Sequence, residues 1–247
     1  ADALYQGENK KYGAMITYFA KEGAKEKDDK GPEEKPQTDE NEEDNKSKAS
    51  KDSLFLKVFN GEALIRTIGF KKPKKSGFHR MYWNMDEKGA DRPSRSISKR
   101  KTERGGKSVL PGTYKLVLTD GILESDQEIT VTADPRLGIS LASMEAVYNA
   151  EKVLEGYMQT AADAVKQLVE SKQIVDLLSK ELTGLDKKTH KESIKKAKGI
   201  SKEIDSLLAL YLGTIDKRQG ITRNPEVTVM QRIGAASSYV GSRKTGM

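Results

Sequence analysis

The sequence contains no cysteine. Disulfides, thiolate metal sites and cysteine nucleophiles are therefore excluded together. Histidine is nearly as scarce, with only His79 and His190. No HExxH or other close ligand spacing joins them, so no metal centre is expected. Long apolar runs are also missing: nothing approaches the roughly 18 residues that a membrane helix needs. The opening Ala1-Asp2-Ala3-Leu4-Tyr5 has neither an initiator Met nor the basic-then-apolar shape of a signal peptide, which reads as a mature product or an excised fragment.

Catalytic signatures are equally thin. There is no GxSxG elbow. Gly105-Gly106-Lys107-Ser108 ends like a phosphate-binding loop, but the first Gly of that pattern falls on Lys101 and no apolar strand precedes it. Asp86-Glu87 and Asp126/Glu128 read as solvated turn and strand residues, with nothing to bring a pair to glycosidase separation. No cofactor is expected, and no reaction within this chain.

What the chain has in quantity is charge. Charged residues make up 33% of it and the mean hydropathy is -0.70, so part of the length is expected to be solvated rather than packed. The net charge of +7 conceals a segregation. Between Lys21 and Asp52 eight Lys face twelve Asp or Glu, a net of −4. Between Lys71 and Ser108 thirteen Lys or Arg face four acids, a net of +9. Residues 21–52 hold no side chain more apolar than Ala and two Pro, which predicts a charged flexible insert.

Strand patterns surround that insert. Ala14–Phe19 is β-branched and aromatic, and Leu54–Phe59, Asn60-Gly61 and Ala63–Ile68 read as a hairpin. Gly77–Asn84, Gly112–Thr119 and Gln127–Thr132 complete six short strands, and the basic stretch from Arg92 to Lys107 is expected to be a long exposed loop between two of them. From Ser140 the period changes to three and four. A helical stripe runs through Met144, Val147, Leu154, Met158, Ala161, Val165, Leu168, Val175, Leu178 and Leu182, ending at Thr183-Gly184. Thr189 and Glu192 form a capping-box pattern for a second helix with Ile194, Ala197, Ile204, Leu207, Leu208, Tyr211 and Ile215 buried. Asn224-Pro225-Glu226 suits the start of a third. The expected fold is α+β by domain. An antiparallel Ig-like or fibronectin-like β-sandwich over residues 1–137 carries the insert at 21–52. An α-helical hairpin or three-helix bundle follows over residues 138–247.

The ordered segments LFLKVFNGEALIRTI, GFHRMYWNM, LPGTYKLVLTDG and ITVTADPR resemble two Ig-like modules. One is that of the flagellar hook-capping protein. The nearer is the module, with a helical segment behind it, that follows the β-propeller in bacterial exported proteins of the Vps10/sortilin-like and BNR/sialidase-like group. GENKKYGAMITYF matches the point where such chains resume after the propeller. The propeller is not in this sequence, so no catalytic residue is carried over. The resemblance implies an extracytoplasmic, non-catalytic protein-interaction or structural module, partnered by the preceding propeller or other subunits. The rival reading is an accessory, glycan-binding part of an exported sialidase-like hydrolase.

Two clusters are singled out as candidates. Arg92, Arg95, Lys99, Arg100, Lys101 and Arg104 form a basic stretch suited to an acidic protein surface, an anionic glycan or lipopolysaccharide. Nucleic acid is not expected there, because no aromatic is interleaved. Tyr82 and Trp83 are the bulky pair of the sheet, read as core aromatics or as a glycan-stacking platform.

Overall fold

The computed structural model describes residues 7, 10–21, 53–98, 100, 102–185, 188–214 and 227–242. The expected insert at 21–52 (apart from Lys21), Ile215 and the Asn224-Pro225-Glu226 start lie outside these residues, as do Lys99 and Lys101. The chain divides into two compact units. One is Ala1–Asp86 with Pro111–Thr132, and the other is Glu87–Leu110 with Ala133–Met247. Antiparallel sheets followed by three helices make this an α+β chain. A cut at 137/138 differs from this division in two segments: residues 87–110 and 133–137 group with the helices.

In the first unit, β1 (Ala14–Ala20) pairs antiparallel with β4 (Gly77–Trp83). A four-stranded sheet takes the order β3 (Ala63–Lys71), β2 (Ser53–Asn60), β7 (Gly112–Thr119), β8 (Glu124–Val131). Period-2 burial fixes its inner face: Leu54, Leu56 and Val58 of β2 are buried, with half-buried side chains between them. Tyr114 and Leu116 of β7 complete that face. Aromatic contacts tie the two sheets together, Tyr18 to Phe70 at 6.0 Å and Trp83 to Tyr114 at 5.6 Å between ring centroids. Each large side chain fully buried here contributes on the order of 2 kcal/mol.

The β2–β3 turn sits one residue later than the sequence suggests. Asn60 still pairs with Ala63, so Gly61 and Glu62 make the turn, and Gly61 takes the positive φ of 55°. A bulge between Val58 and Phe59 accompanies it. At the edge, Glu124, Asp126 and Glu128 of β8 are exposed, and such charges discourage pairing with another strand.

The second unit holds a small sheet, β5 (Asp86–Lys88) with β6 (Gly105–Ser108), and three helices. Helix α1 spans Leu141–Gly184, capped by Ser140, whose Oγ accepts from Ser143 N at 3.2 Å. Helix α2 (Lys191–Leu212) runs antiparallel to it, since Lys172 meets Asp205 and Asp176 meets Ser201. Val165, Val169, Ile204 and Leu208 form the core between them. Helix α3 (Val229–Gly241) contacts both.

Helix α2 begins at Lys191 with His190 as its cap residue, and His190 makes no side-chain cap bond. A capping box is formed at α3, where Thr228 and Gln231 bond reciprocally at 3.1 and 2.9 Å. Leu178 and Leu207, placed in the buried stripes by periodicity, are 48% and 45% exposed. Each helix has apolar residues on more than one side, and the neighbouring helix covers only one of them.

Candidate binding strap on the helical unit

The chain leaves β5 at Lys88 and returns to β6 at Gly105 through a basic excursion whose two ends cross at backbone contact. Gly89 N donates to Arg104 O at 2.9 Å. The crossing requires glycine. A Cβ on Gly89 would lie 2.5 Å from Gly105 O, and one on Gly106 would lie 2.6 Å from both Glu155 Oε1 and Gly89 Cα.

Just past the crossing sits a buried cation. Lys107 Nζ donates to Glu87 Oε2 at 2.6 Å and to Glu155 Oε2 at 3.2 Å, and Lys107 N donates to Glu155 Oε1 at 3.0 Å. Tyr148 Oη donates to the other oxygen of Glu87 at 2.6 Å, and its ring centroid lies 4.8 Å from the ammonium. Burial disfavours the charged lysine, but the two carboxylates outweigh burial and raise its pKa above the usual lysine value. Glu87 comes from β5, Lys107 from β6, Tyr148 and Glu155 from α1. One ammonium therefore joins the small sheet to the long helix. Sequence reading placed Glu87 among solvated turn residues and Lys107 in an exposed loop. Both are largely enclosed instead, because the hydrogen-bonded pair can be taken from water together.

Beyond the crossing, the excursion lies against the helices and is pinned at two further points. Asp91 N donates to Gln159 Oε1 of α1 at 2.9 Å. The Arg95 guanidinium donates to Gly213 O, at the C-terminus of α2, where unsatisfied carbonyls attract a cation. The segment expected to be a long exposed loop is largely exposed, and it is also pinned to the helices as a strap.

The candidate basic residues separate by role. Arg95 is half-buried and engaged with α2. Arg92, Arg100 and Arg104 line two adjoining clefts of ≈ 620 and ≈ 260 Å³. Arg92 and Arg100 are exposed and Arg104 is half-buried. Glu103, Glu151 and Glu155 share the larger cleft, over Leu154 and Met158 of α1. The smaller adds the hydroxyl residues Ser94, Ser96, Ser98 and Thr102, with Asp163 and Lys166 of α1.

The aromatic pair divides as strand alternation requires. Trp83 is 0% exposed, stacked edge-on to Tyr114, with Nε1 donating to Asp86 O at 2.9 Å. A side chain with no exposed surface has nothing on which a glycan could stack. Tyr82 is half-buried, opposite Met15, with Lys11 Nζ 5.5 Å from its ring centroid.

Among the described residues, no group of three His, Asp or Glu side chains is arranged to hold a metal ion, and no helix is long and apolar enough to cross a membrane. A scan of protein-family models finds no match to this chain. Searches of curated proteins and of solved structures return no significant match either.

Proposed function

We propose that this chain is a non-catalytic interaction module of a larger exported assembly, its first unit an Ig-like sandwich and its helical unit the docking element. The preceding β-propeller suggested by the sequence resemblance, or a separate subunit of that assembly, is the partner. Export rests on the same resemblance. The observation that carries the reading is an apolar stripe on the outside of α1. Ile174, Leu177 and Leu178 are exposed and lie on one helical face, which Leu185 continues just beyond the helix end. Isolated exposed apolar residues are ordinary, whereas a contiguous row of them marks a surface meant to be covered.

The test uses the full chain as bait in an extract of its source envelope. The expected outcome is stoichiometric recovery of a propeller-bearing polypeptide, lost in Leu177→Lys/Leu178→Lys. These side chains are exposed, so the variant should keep its fold by circular dichroism. Equal recovery by both baits would dismiss the stripe as the docking surface.

A second reading is favoured by the strap: binding of an anionic polymer through the basic residues at 92–104. Its support is that Arg92, Arg100 and Arg104 converge on the same two clefts, on a segment anchored to two helices. The glycan-stacking reading is weaker, because Trp83 is enclosed in the sheet unit.

A further inference from the structure

We infer that the smaller cleft of the strap is a site for a tetrahedral oxyanion group, a phosphate or sulfate ester, with Arg92 and Arg100 as its direct ligands and Arg95 as a positioning residue. This rests on the anionic-polymer reading and narrows it from diffuse attraction to a built site.

Three observations carry it. The first is chemistry. Guanidinium groups present paired donors that fit two oxygens of one anion, and Ser94, Ser96, Ser98 and Thr102 line the same space. Hydroxyl donors beside guanidinium forks supply more donor directions than a two-oxygen carboxylate uses, and suit an anion with three or four oxygens.

The second is charge. The buried Lys107 is already held by two carboxylates, so it is not the ligand. The Arg92 and Arg100 guanidiniums are exposed and have no carboxylate within ion-pair distance among the described residues. Asp91 of the strap and Asp163 and Lys166 of α1 also line the cleft. Asp163 accepts from Gln159 Nε2 at 2.9 Å, which draws part of its acceptor capacity away from the cleft.

The third is preorganisation. Binding to a free basic loop loses much of its gain to ordering the chain. Here the crossing at Gly89, the Asp91–Gln159 bond and the Arg95–Gly213 bond hold residues 89–95, and with them Arg92, in place before any ligand arrives. Arg95 acts through this anchoring and does not touch the ligand.

The experiment is calorimetric titration of the full chain at low ionic strength with inorganic phosphate, inorganic sulfate and acetate. Dextran sulfate and polyglutamate serve as polymeric probes. Saturable millimolar binding of phosphate and sulfate is expected, with acetate clearly weaker at matched ionic strength. Arg92→Ala/Arg100→Ala should lose about tenfold or more in affinity, since each removes a charge-assisted hydrogen bond. Arg92→Lys/Arg100→Lys keeps the charge but loses the fork, and should remain several-fold weaker than the native chain. Arg95→Ala should weaken sulfate binding and also raise amide hydrogen exchange across residues 90–98, a readout that a direct ligand would not move.

If the lysine variant binds like the native chain, or acetate matches phosphate, the oriented site is overturned. Should dextran sulfate and polyglutamate still bind in that case, the broader polyanion reading survives alone. Failure of both polymers to bind would remove that reading as well.

Discussion

Among the described residues, each unit of the molecule encloses one cation, and the two enclosures are unlike. In the sheet unit, Arg66 of β3 is 9% exposed, with Nε 3.7 Å from Asp86 Oδ1. In the helical unit, Lys107 has two carboxylates at 2.6 and 3.2 Å, one of them also bonded to Tyr148. The consequence is visible in protonation. Burial pushes the Asp86 carboxyl above its usual range and Arg66 only partly pulls it back, whereas the surplus of carboxylates raises the pKa of Lys107. Arg66 sits on the edge strand β3 of its sheet, while Lys107 fastens two elements and has a partner on each.

The comparison predicts that losing the lysine does more damage than losing the arginine. Lys107→Met leaves Glu87 and Glu155 enclosed and facing each other. A loss of about 3–5 kcal/mol is expected, read as a lower denaturation midpoint together with increased hydrogen exchange in residues 86–108. A midpoint within experimental error of the native one would show that α1 holds β6 without this cation.

Arg66→Met should cost less, about 2 kcal/mol at neutral pH, because a lone Asp86 can take up a proton. A folded-state pKa raised above the unfolded value means that the folded chain binds the proton more tightly. The variant's deficit should therefore shrink as pH falls through the raised Asp86 value toward 4. Arg66→Met/Asp86→Asn should recover much of the loss and show no such trend. A deficit that is flat with pH in the single variant would mean that Asp86 finds another cation.

The smallest effect belongs to the β7–β8 turn. Asp120 Oδ1 accepts from Ile122 N at 3.0 Å and Leu123 N at 2.9 Å, and Lys72 reaches Oδ2 at 3.0 Å. These bonds, Leu123 N first, lower its pKa to about 2. Its contribution is thus present above the unfolded value of about 4 and fades as pH drops toward 2, the opposite sign to Asp86. Asp120→Ala should cost about 1 kcal/mol at pH 7 and less at pH 2.5. An equal cost at both would point to the turn backbone rather than the charge.

The same contrast explains what sequence could reveal. Period-2 runs placed β1, β2, β4 and β7 within a residue or two, since each strand's own pattern tells which face is buried. Ser140 and Gly184 likewise bound α1 as local signals suggest. The strap was not legible. Lys107 lies 20 residues from Glu87 and 48 from Glu155, and no short-range pattern links a lysine to acids at such separations. The glycines at 89, 105 and 106 were the available clue, because glycines at both ends of a basic run permit its ends to cross. The aromatic pair taught the converse: strand alternation requires Tyr82 and Trp83 to point to opposite faces, so they could not form one platform.

The crossing at Gly89 and Gly105 has one more implication. A segment whose ends are clasped by its own backbone presents its host with a fixed pair of attachment points, whatever lies between them. Between two such points, doubling a flexible connection costs only about 0.6 kcal/mol in closure entropy. The tip can therefore lengthen, shorten or change its residues while α1 and α2 stay as they are. In evolutionary terms the helical unit is a frame carrying an exchangeable cassette, able to change what it recognises without being refolded.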